Sequence, residues 1–345
     1  MENGKIDSKY LVSVCIPTYK RDVELKRALE SIDASGGNAA DLEIVIRQNM
    51  SSKRDDIAKI VHEYKQQSKY DINYIENEEN YGYDWNIRSV AKAARGEWVI
   101  YLSDDDWFAP GALDKYMDFL REHPEVGYVL RRYREVYKDG GQQAFRYAEG
   151  DVFFEPGEKT IIELFRRSVF ISGFTFRKCW FTDYDCSDFD GSLLVQLYIL
   201  SCICKDHRSC YSDILITEKN DEGVSNFGLS SSEKNYYKPG GGVASDLNFM
   251  RFVKTTSELI DKKLNVNITD GVMRSYSKYS YGFLHAHRDD GIKKFNLHVK
   301  GLRELGFDRT FHFNLYYWAL LLLGKKNCRK IITLIKKIIG HTPKL

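Results

Sequence analysis

The chain has 345 residues, 51 Lys+Arg against 49 Asp+Glu, and a formal net charge of +2. That near-balance excludes the overall electrostatic footprint of a nucleic-acid-binding protein, and the length allows one large domain or two ordinary ones around a substantial core. Seven cysteines, an odd number scattered through apparent strands and helices, exclude a disulfide scaffold and point to reduced thiols.

The N-terminal Met1-Glu-Asn-Gly-Lys5 carries no apolar signal region, and no run reaches the roughly 18 apolar residues of a transmembrane helix, so a cytoplasmic location is expected. Residues 11–16 (LVSVCI) read as a short buried strand closed by Pro17. Residues 21–32 follow with Val23, Leu25, Leu29 and Ile32 at helical spacing, ended by Gly36-Gly37. A second strand over 42–46 runs out into Arg47-Gln48-Asn49, and Ser51 and Ser52 offer caps for a helix through Tyr64. Residues 72–75 form a third strand, and a helix around 85–94 leads through Gly96 into a fourth. This alternation predicts right-handed βαβ units and a parallel sheet.

The fourth strand, residues 98–102 (WVIYL), ends in three consecutive carboxylates, Asp104, Asp105 and Asp106, before Pro110 and Gly111 open the next helix. Three adjacent like charges repel, and a buried one must be paired or neutralised. Two readings stand. One is a solvated acidic turn capping the helix. The other is a divalent-cation site, since hard oxygen ligands suit Mg²⁺ or Mn²⁺ and both bridge to phosphates. The carboxyl end of a strand in an open α/β sheet is where ligands bind.

Beyond residue 125 the pattern loosens. Residues 126–137 read as a longer strand, 161–167 and 192–203 as helices, and 170–176 and 210–216 as strands. Cys202, Cys204, His207 and Cys210 lie close in sequence, but their spacing matches no common zinc module. Residues 219–244, rich in Gly, Ser, Asn and Lys, read as a flexible lid with Lys219, Lys234 and Lys238 able to meet a diphosphate. A helical region follows over 245–345. No acidic residue follows Asp308, and residues 328–339 alternate Ile331/Ile332, Leu334/Ile335 and Ile338/Ile339 with Arg329/Lys330 and Lys336/Lys337. Two readings fit this basic amphipathic helix: an interfacial membrane anchor, or a helix packed on the domain with a solvated basic face.

Val14-Cys-Ile-Pro-Thr-Tyr-Lys20, the strand ending in Gln48-Asn49 with Ser51-Ser52 after it, Asn77-Glu-Glu-Asn-Tyr-Gly82 and Ser103-Asp-Asp-Asp106 occur in this order. Together they resemble a family 2 glycosyltransferase of the GT-A fold, an α/β architecture with a Rossmann-like, mostly parallel central sheet flanked by helices. The wording is similar to the abequosyltransferase-like branch of bacterial surface-polysaccharide enzymes. The resemblance implies a GT-A domain over 1–244, with a nucleotide-binding half (1–125), an acceptor half (126–218) and the lid, and a C-terminal helical extension. It also implies a nucleotide-diphosphate sugar donor whose base lies against Pro17, Thr18 and Tyr19. Where most relatives carry an Asp, this chain has Gln48, which donates as well as accepts, so UDP, CDP and dTDP donors all stay open. Asn80 and Gly82 map to the donor loop, where Tyr83, Asp84 and Trp85 could line the same pocket. Arg88 faces either a phosphate or solvent.

In the acidic motif Ser103 replaces the family's first Asp. The resemblance assigns Asp104 to the ribose, Asp105 to a Mn²⁺ or Mg²⁺ ion, and Asp106 to orienting the site or sharing the cation. The catalytic base is expected among Asp185, Asp188 and Asp190, with Asp190 preferred and Asp188 in reserve; the family's usual Glu-Asp pair is absent. The acceptor implied is a glycan hydroxyl on a lipid carrier, reached at the inner face of the bacterial plasma membrane, with inversion at the anomeric carbon. Nucleic acid is not an expected partner. A sugar-phosphate nucleotidyltransferase and a non-catalytic nucleotide-sugar-binding or membrane scaffold are the rivals.

Overall fold

The computed structural model describes residues 8–137, 140–220, 230 and 242–339. In chain order the first part runs β1 (Tyr10–Thr18), α1 (Asp22–Ser35), β2 (Leu42–Gln48), α2 (Arg54–Gln67), β3 (Asp71–Glu76), α3 (Tyr83–Ala93), β4 (Gly96–Tyr101), the two-residue β5 (Trp107–Phe108) and α4 (Ala112–Glu122). The second part has β6 (Val126–Val136), β7 (Gln142–Phe145), β8 (Val152–Phe154), α5 (Glu158–Phe165), β9 (Phe174–Arg177), α6 (Val195–Asp206) and β10 (Arg208–Asn220). Helices α7 (Val243–Leu264), α8 (Thr269–Lys278), α9 (Tyr281–Leu284), α10 (Ile292–Glu304) and α11 (Phe311–Ile339) follow.

Strand side chains alternate between two cores. Val12, Val14 and Ile16 of β1, with Leu42, Ile44 and Ile46 of β2, pack with Leu25 and Leu29 of α1, Ile57 of α2 and Leu113 of α4. Cys15, Val45, Val99 and Tyr101 face the other way, against Ile87 and Val90 of α3. Both faces are covered, which is why these strands read as nearly continuous apolar runs.

The sheet order is β3-β2-β1-β4-β9-β6-β10-β5. Strand β1 pairs in parallel with β2 and β4, and β2 with β3, as the βαβ pattern predicts. Beyond β4 the sheet is mixed: β9 runs antiparallel between β4 and β6, and β10 is parallel to β6. With β2 on one flank of β1 and β4 on the other, α1 and α2 cover one face and α3 the opposite one. The crevice this opens lies beyond the carboxyl ends of β1 and β4. Met250 of α7, Met273 of α8, Phe295 of α10 and Phe313 of α11 join the buried cluster that holds Tyr128 of β6 and Leu197 of α6. The C-terminal helices therefore extend the α3 face of the sheet.

Several boundaries differ from the sequence reading, each for a local reason. Helix α2 begins at Arg54 with no side-chain cap, because Ser51 Oγ is used in a turn, accepting from Lys53 N at 3.2 Å. The strand expected from residue 170 begins at Phe174, after a tight turn over Ile171–Gly173. Helix α6 starts at Val195 rather than 192, because the Asp84 carboxylate from α3 accepts from Leu193 N at 2.9 Å and Val195 N at 3.0 Å. Asp84, expected at the donor pocket, is thus a helix cap supplied from another element. Most of the segment expected as a lid, with Lys234 and Lys238, lies outside the described residues; Lys219 belongs to β10 and pairs with Glu135.

Candidate active site

The chain reverses sharply after β1. Lys20 adopts a left-handed backbone (φ 64°), which turns the two residues flanking it toward the end of β4. Tyr19 N donates to Asp104 at 3.1 Å and Arg21 Nη1 at 2.8 Å; Arg21 also pairs with Asp105 at 2.9 Å. Ser103 Oγ donates to Asp105 at 2.6 Å. Burial pushes the Asp104 carboxyl up to about 6; the Arg21 charge opposes this and the neighbouring Asp105 charge adds to it.

Asp106 points elsewhere. It is buried and accepts from Ser172 Oγ at 2.6 Å, while the same hydroxyl accepts from Ser103 N at 2.8 Å. Behind it lies Arg131, fully buried, donating to Tyr101 O at 3.0 Å and Ser172 O at 2.7 Å. Burial lowers the Arg131 guanidinium to about 10, against the fields of Tyr116, Tyr128 and Asp106. The acidic turn is therefore bolted to the turn before β9 from one side and backed by a buried cation.

The second wall is a network of amides. Asn77 Nδ2 donates to Asn49 Oδ1 at 2.8 Å and to Asn86 Oδ1 at 3.2 Å, and its own Oδ1 accepts from Arg47 Nε at 2.9 Å. Asn49 Nδ2 reaches Gly82 O at 3.2 Å, and Asn80 Oδ1 accepts from Gly82 N at 3.1 Å. Gly82, at φ 89°, turns the chain into α3 in a conformation that a side chain would strain. A fully satisfied buried network of this kind fixes a loop in one geometry.

Pro17, Thr18, Tyr19, Asn80 and Asp104 line one cavity of about 100 Å³. Arg21, Asn49, Tyr83, Asn86, Ser103 and Ile171 complete its lining. It is smaller than the roughly 300 Å³ at which ligand pockets begin, so it receives part of a ligand rather than the whole. Three residues assigned to the donor lie outside this lining. Gln48 is buried with both ends of its amide bonded: Oε1 accepts from Tyr74 Oη, and Nε2 donates to Arg54 O at 3.2 Å. Gly82 acts through its backbone. Arg88 is buried and faces neither phosphate nor solvent, pairing with Asp190 and donating to Tyr184 O at 2.9 Å.

On the acceptor side, Asp190 is one-quarter exposed, and burial raises its pKa despite the Arg88 charge. Asp188 is exposed and pairs with Lys263 at 2.6 Å, which holds its carboxyl below the usual range. Asp185 lies at the surface with Lys92, at 2.8 Å.

Among the described residues no group of three or more His, Cys, Asp or Glu side chains converges where a metal could sit. That holds for Cys202, Cys204, His207 and Cys210, where His207 stacks on Trp180 at 3.8 Å and Cys204 Sγ lies 3.0 Å from Ser209 Oγ. It holds also for the acidic motif, where Asp104 and Asp105 share Arg21 while Asp106 turns away to Ser172. A dication bridging a diphosphate needs only one or two protein carboxylates, with phosphate oxygens and water filling the remaining positions. Asp105, 14% exposed at its side chain, fits that requirement. Asp106, turned to Ser172, fits the orienting role instead.

A sheet of this order, with its crevice at the ends of β1 and β4, is the GT-A fold. Residues 13–176 match the family model described as glycosyl transferase family 2. An uncharacterized glycosyltransferase of Haemophilus influenzae is 26% identical over 119 residues, 34% of this chain and 37% of that protein. Abequosyltransferase RfbV of Salmonella typhimurium is 29% identical over 136 residues, covering 37% of this chain and 40% of that protein. A Campylobacter jejuni GalNAc(5)-diNAcBac-PP-undecaprenol beta-1,3-glucosyltransferase is 34% identical over 113 residues, 32% of this chain and 35% of that one. The matches thus span about two-fifths of the length of these relatives or less. The structure of S. aureus TarS residues 1–349 with UDP-GlcNAc superposes with a TM-score of 0.59 at 15% identity, covering 96% of this chain and 92% of that one. At that identity the likeness speaks for the fold alone. The match to glycosyltransferase family 2 thus covers residues 13–176, just under half of the chain.

Ser172→Ala leaves the buried Asp106 without its hydroxyl and Ser103 N without its acceptor, and should cost about 1–3 kcal/mol. Urea unfolding at neutral pH measures this; an unchanged midpoint would remove Ser172 from the account.

Proposed function

We propose that this chain transfers a sugar from a nucleoside-diphosphate donor to a hydroxyl of a glycan acceptor on a lipid carrier, with inversion, in bacterial surface-polysaccharide synthesis. The observation that carries the reading is the convergence of Tyr19 N and Arg21 from β1 on Asp104 and Asp105 from β4, at the rim of the crevice. The base lies against Pro17, Thr18 and Tyr19, and Asp104 accepts from the ribose. Asp105 holds Mn²⁺ or Mg²⁺, which when bound offsets charge on the departing diphosphate. Arg21, which lines the same cavity beside both carboxylates, would meet a phosphate oxygen of the donor. Since both ends of the Gln48 amide are engaged within the protein, UDP, CDP and dTDP donors all remain open.

Asp190 is the base. The acceptor oxygen bonds to the anomeric carbon as the bond from that carbon to the diphosphate oxygen breaks, and the hydroxyl proton passes to Asp190. A carboxyl raised by partial burial is better suited to accept a proton than one held low by an exposed lysine, which favours Asp190 over Asp188. The family match supports transfer rather than nucleotidyl exchange or a scaffold. The basic segment 328–339 keeps the enzyme on the inner face of the plasma membrane, near its acceptor.

Asp105→Ala should fold yet lose about a hundredfold or more of its Mn²⁺-dependent turnover of donor. Full turnover in that variant, or in wild type with EDTA, contradicts the assignment. Asp190→Asn should lower turnover by roughly 10²–10⁴ while Asp188→Asn stays near wild type; wild-type rates in both end the proposal for this loop. A carboxyl raised to about 6 is ionised above neutral pH and loses its charge as the pH falls through that value. Affinity for an intact nucleotide sugar, which has no group titrating there, should therefore decline below about pH 6. The decline should vanish in Asp104→Asn; a wild-type affinity flat between acid and neutral pH sinks the ribose role.

A further inference from the structure

We propose that the outer face of α11 is a membrane-docking surface that lays Phe311, Leu315, Trp318 and Leu322 into the interface of an anionic phospholipid bilayer. The inference deepens the membrane association proposed above and rests on it, but it moves the contact upstream of the segment assigned from sequence. The spacing of these four residues places them on one stripe of the helix. They are 71%, 55%, 54% and 77% exposed. The inner face of the same helix is already occupied: Phe313 and Leu320 are fully buried, and Tyr317 stacks on Phe295 of α10. The stripe is therefore an additional apolar surface, of a kind that soluble proteins seldom leave uncovered.

The chain then bends at Gly324, whose φ of 74° and ψ of 165° interrupt the helix. Arg288 holds the bend by donating to Leu320 O at 2.8 Å and Leu321 O at 3.3 Å. Past it, Lys325, Lys326, Arg329 and Lys330 line a groove of about 590 Å³ with Asp289, Thr333 and Leu334. Asp289 pairs with Lys325 at 3.5 Å, and the sequence has no acidic residue after Asp308.

An apolar stripe that runs into a cationic cluster complements one kind of surface: acyl chains and glycerol under the stripe, anionic headgroups under the lysines and arginines. Trp318 is the residue type favoured at that depth. The segment before the bend, 311–323, is about 20 Å long, so it lies in the interface rather than crossing it; among the described residues no helix is long and apolar enough to span a membrane. A second copy of the chain could cover the stripe, but it would bring the same acid-free cationic segment with it.

Co-sedimentation of the full chain with vesicles of phosphatidylcholine, alone or mixed with phosphatidylglycerol, tests the proposal. The wild type should partition onto the mixed vesicles and be released by high salt. Leu315→Glu with Trp318→Glu should lower that partition about tenfold or more, with far-UV circular dichroism and thermal midpoint unchanged. Arg329→Glu with Lys330→Glu should abolish the preference for phosphatidylglycerol. Equal partition of the stripe variant overturns the proposal, as does failure of the wild type to bind either vesicle. Lipid-free self-association of the wild type that the stripe variant dissolves also overturns it, assigning the face to a second copy. Loss of anionic-lipid binding in Arg329→Glu with Lys330→Glu while the stripe variant still binds would leave the membrane reading standing and end this inference alone. Nucleotide release from a nucleotide sugar without lipid, measured on the same variants, reads the catalytic proposal separately.

Discussion

Three consecutive carboxylates at the mouth of a buried strand can coexist only if each is given a counter-charge or donor, and the rest of the site is built around that requirement. Asp104 takes the Tyr19 amide and Arg21, Asp105 takes Arg21 and the Ser103 hydroxyl, and Asp106 takes the Ser172 hydroxyl with Arg131 behind it. The desolvation left uncompensated shows at Asp104, whose carboxyl is raised to about 6. With Arg21 shared by Asp104 and Asp105 and Asp106 held by Ser172, Asp105 is the member of the triplet we propose for a cation.

Those partners also join the two halves of the sheet. Ser172 belongs to the turn before β9, and Arg131 to β6, so the acidic turn is fixed by elements of the acceptor half. Helix α3 makes the reciprocal connection. Asp84 in its first turn caps α6, and Arg88 one turn later holds Asp190. The loop that carries Asp190 is thus registered against the first half of the sheet by two residues of α3. A displacement of that helix would move donor loop and base together, and small misplacements of reacting groups cost large factors in rate.

The parallel half of the sheet was legible because β1, β2 and β4 are buried on both faces and so spell largely apolar runs between turn residues. The cavity was partly legible where its residues sit at strand ends in motif order: Pro17, Thr18, Tyr19, Asn80 and Asp104 line it together. Arg21, Asn86 and Ile171 were missed, since nothing local marks them as converging from three separate segments. Arg131 carried a readable signal, a cation directly after the apolar run 126–130, where burial demands a compensating network. The reading of Arg88 failed for the opposite reason. Helical spacing alone cannot distinguish a side chain facing a ligand from one facing the loop of another element. The boundaries of α6 and β9 shifted because their caps and turns are supplied by distant residues.

The fold places a crevice at the ends of β1 and β4; the division of labour proposed among Asp104, Asp105 and Asp106 is what makes the account specific to this chain. It is tested most directly by a crystal structure of the protein with a nucleoside diphosphate and Mn²⁺, read by anomalous scattering from the metal. The account predicts one Mn²⁺ peak bound through Asp105 and the diphosphate, with Asp106 still on Ser172 and the ribose beside Asp104. A metal held by Asp106, or a nucleotide lodged away from the ends of β1 and β4, would contradict it.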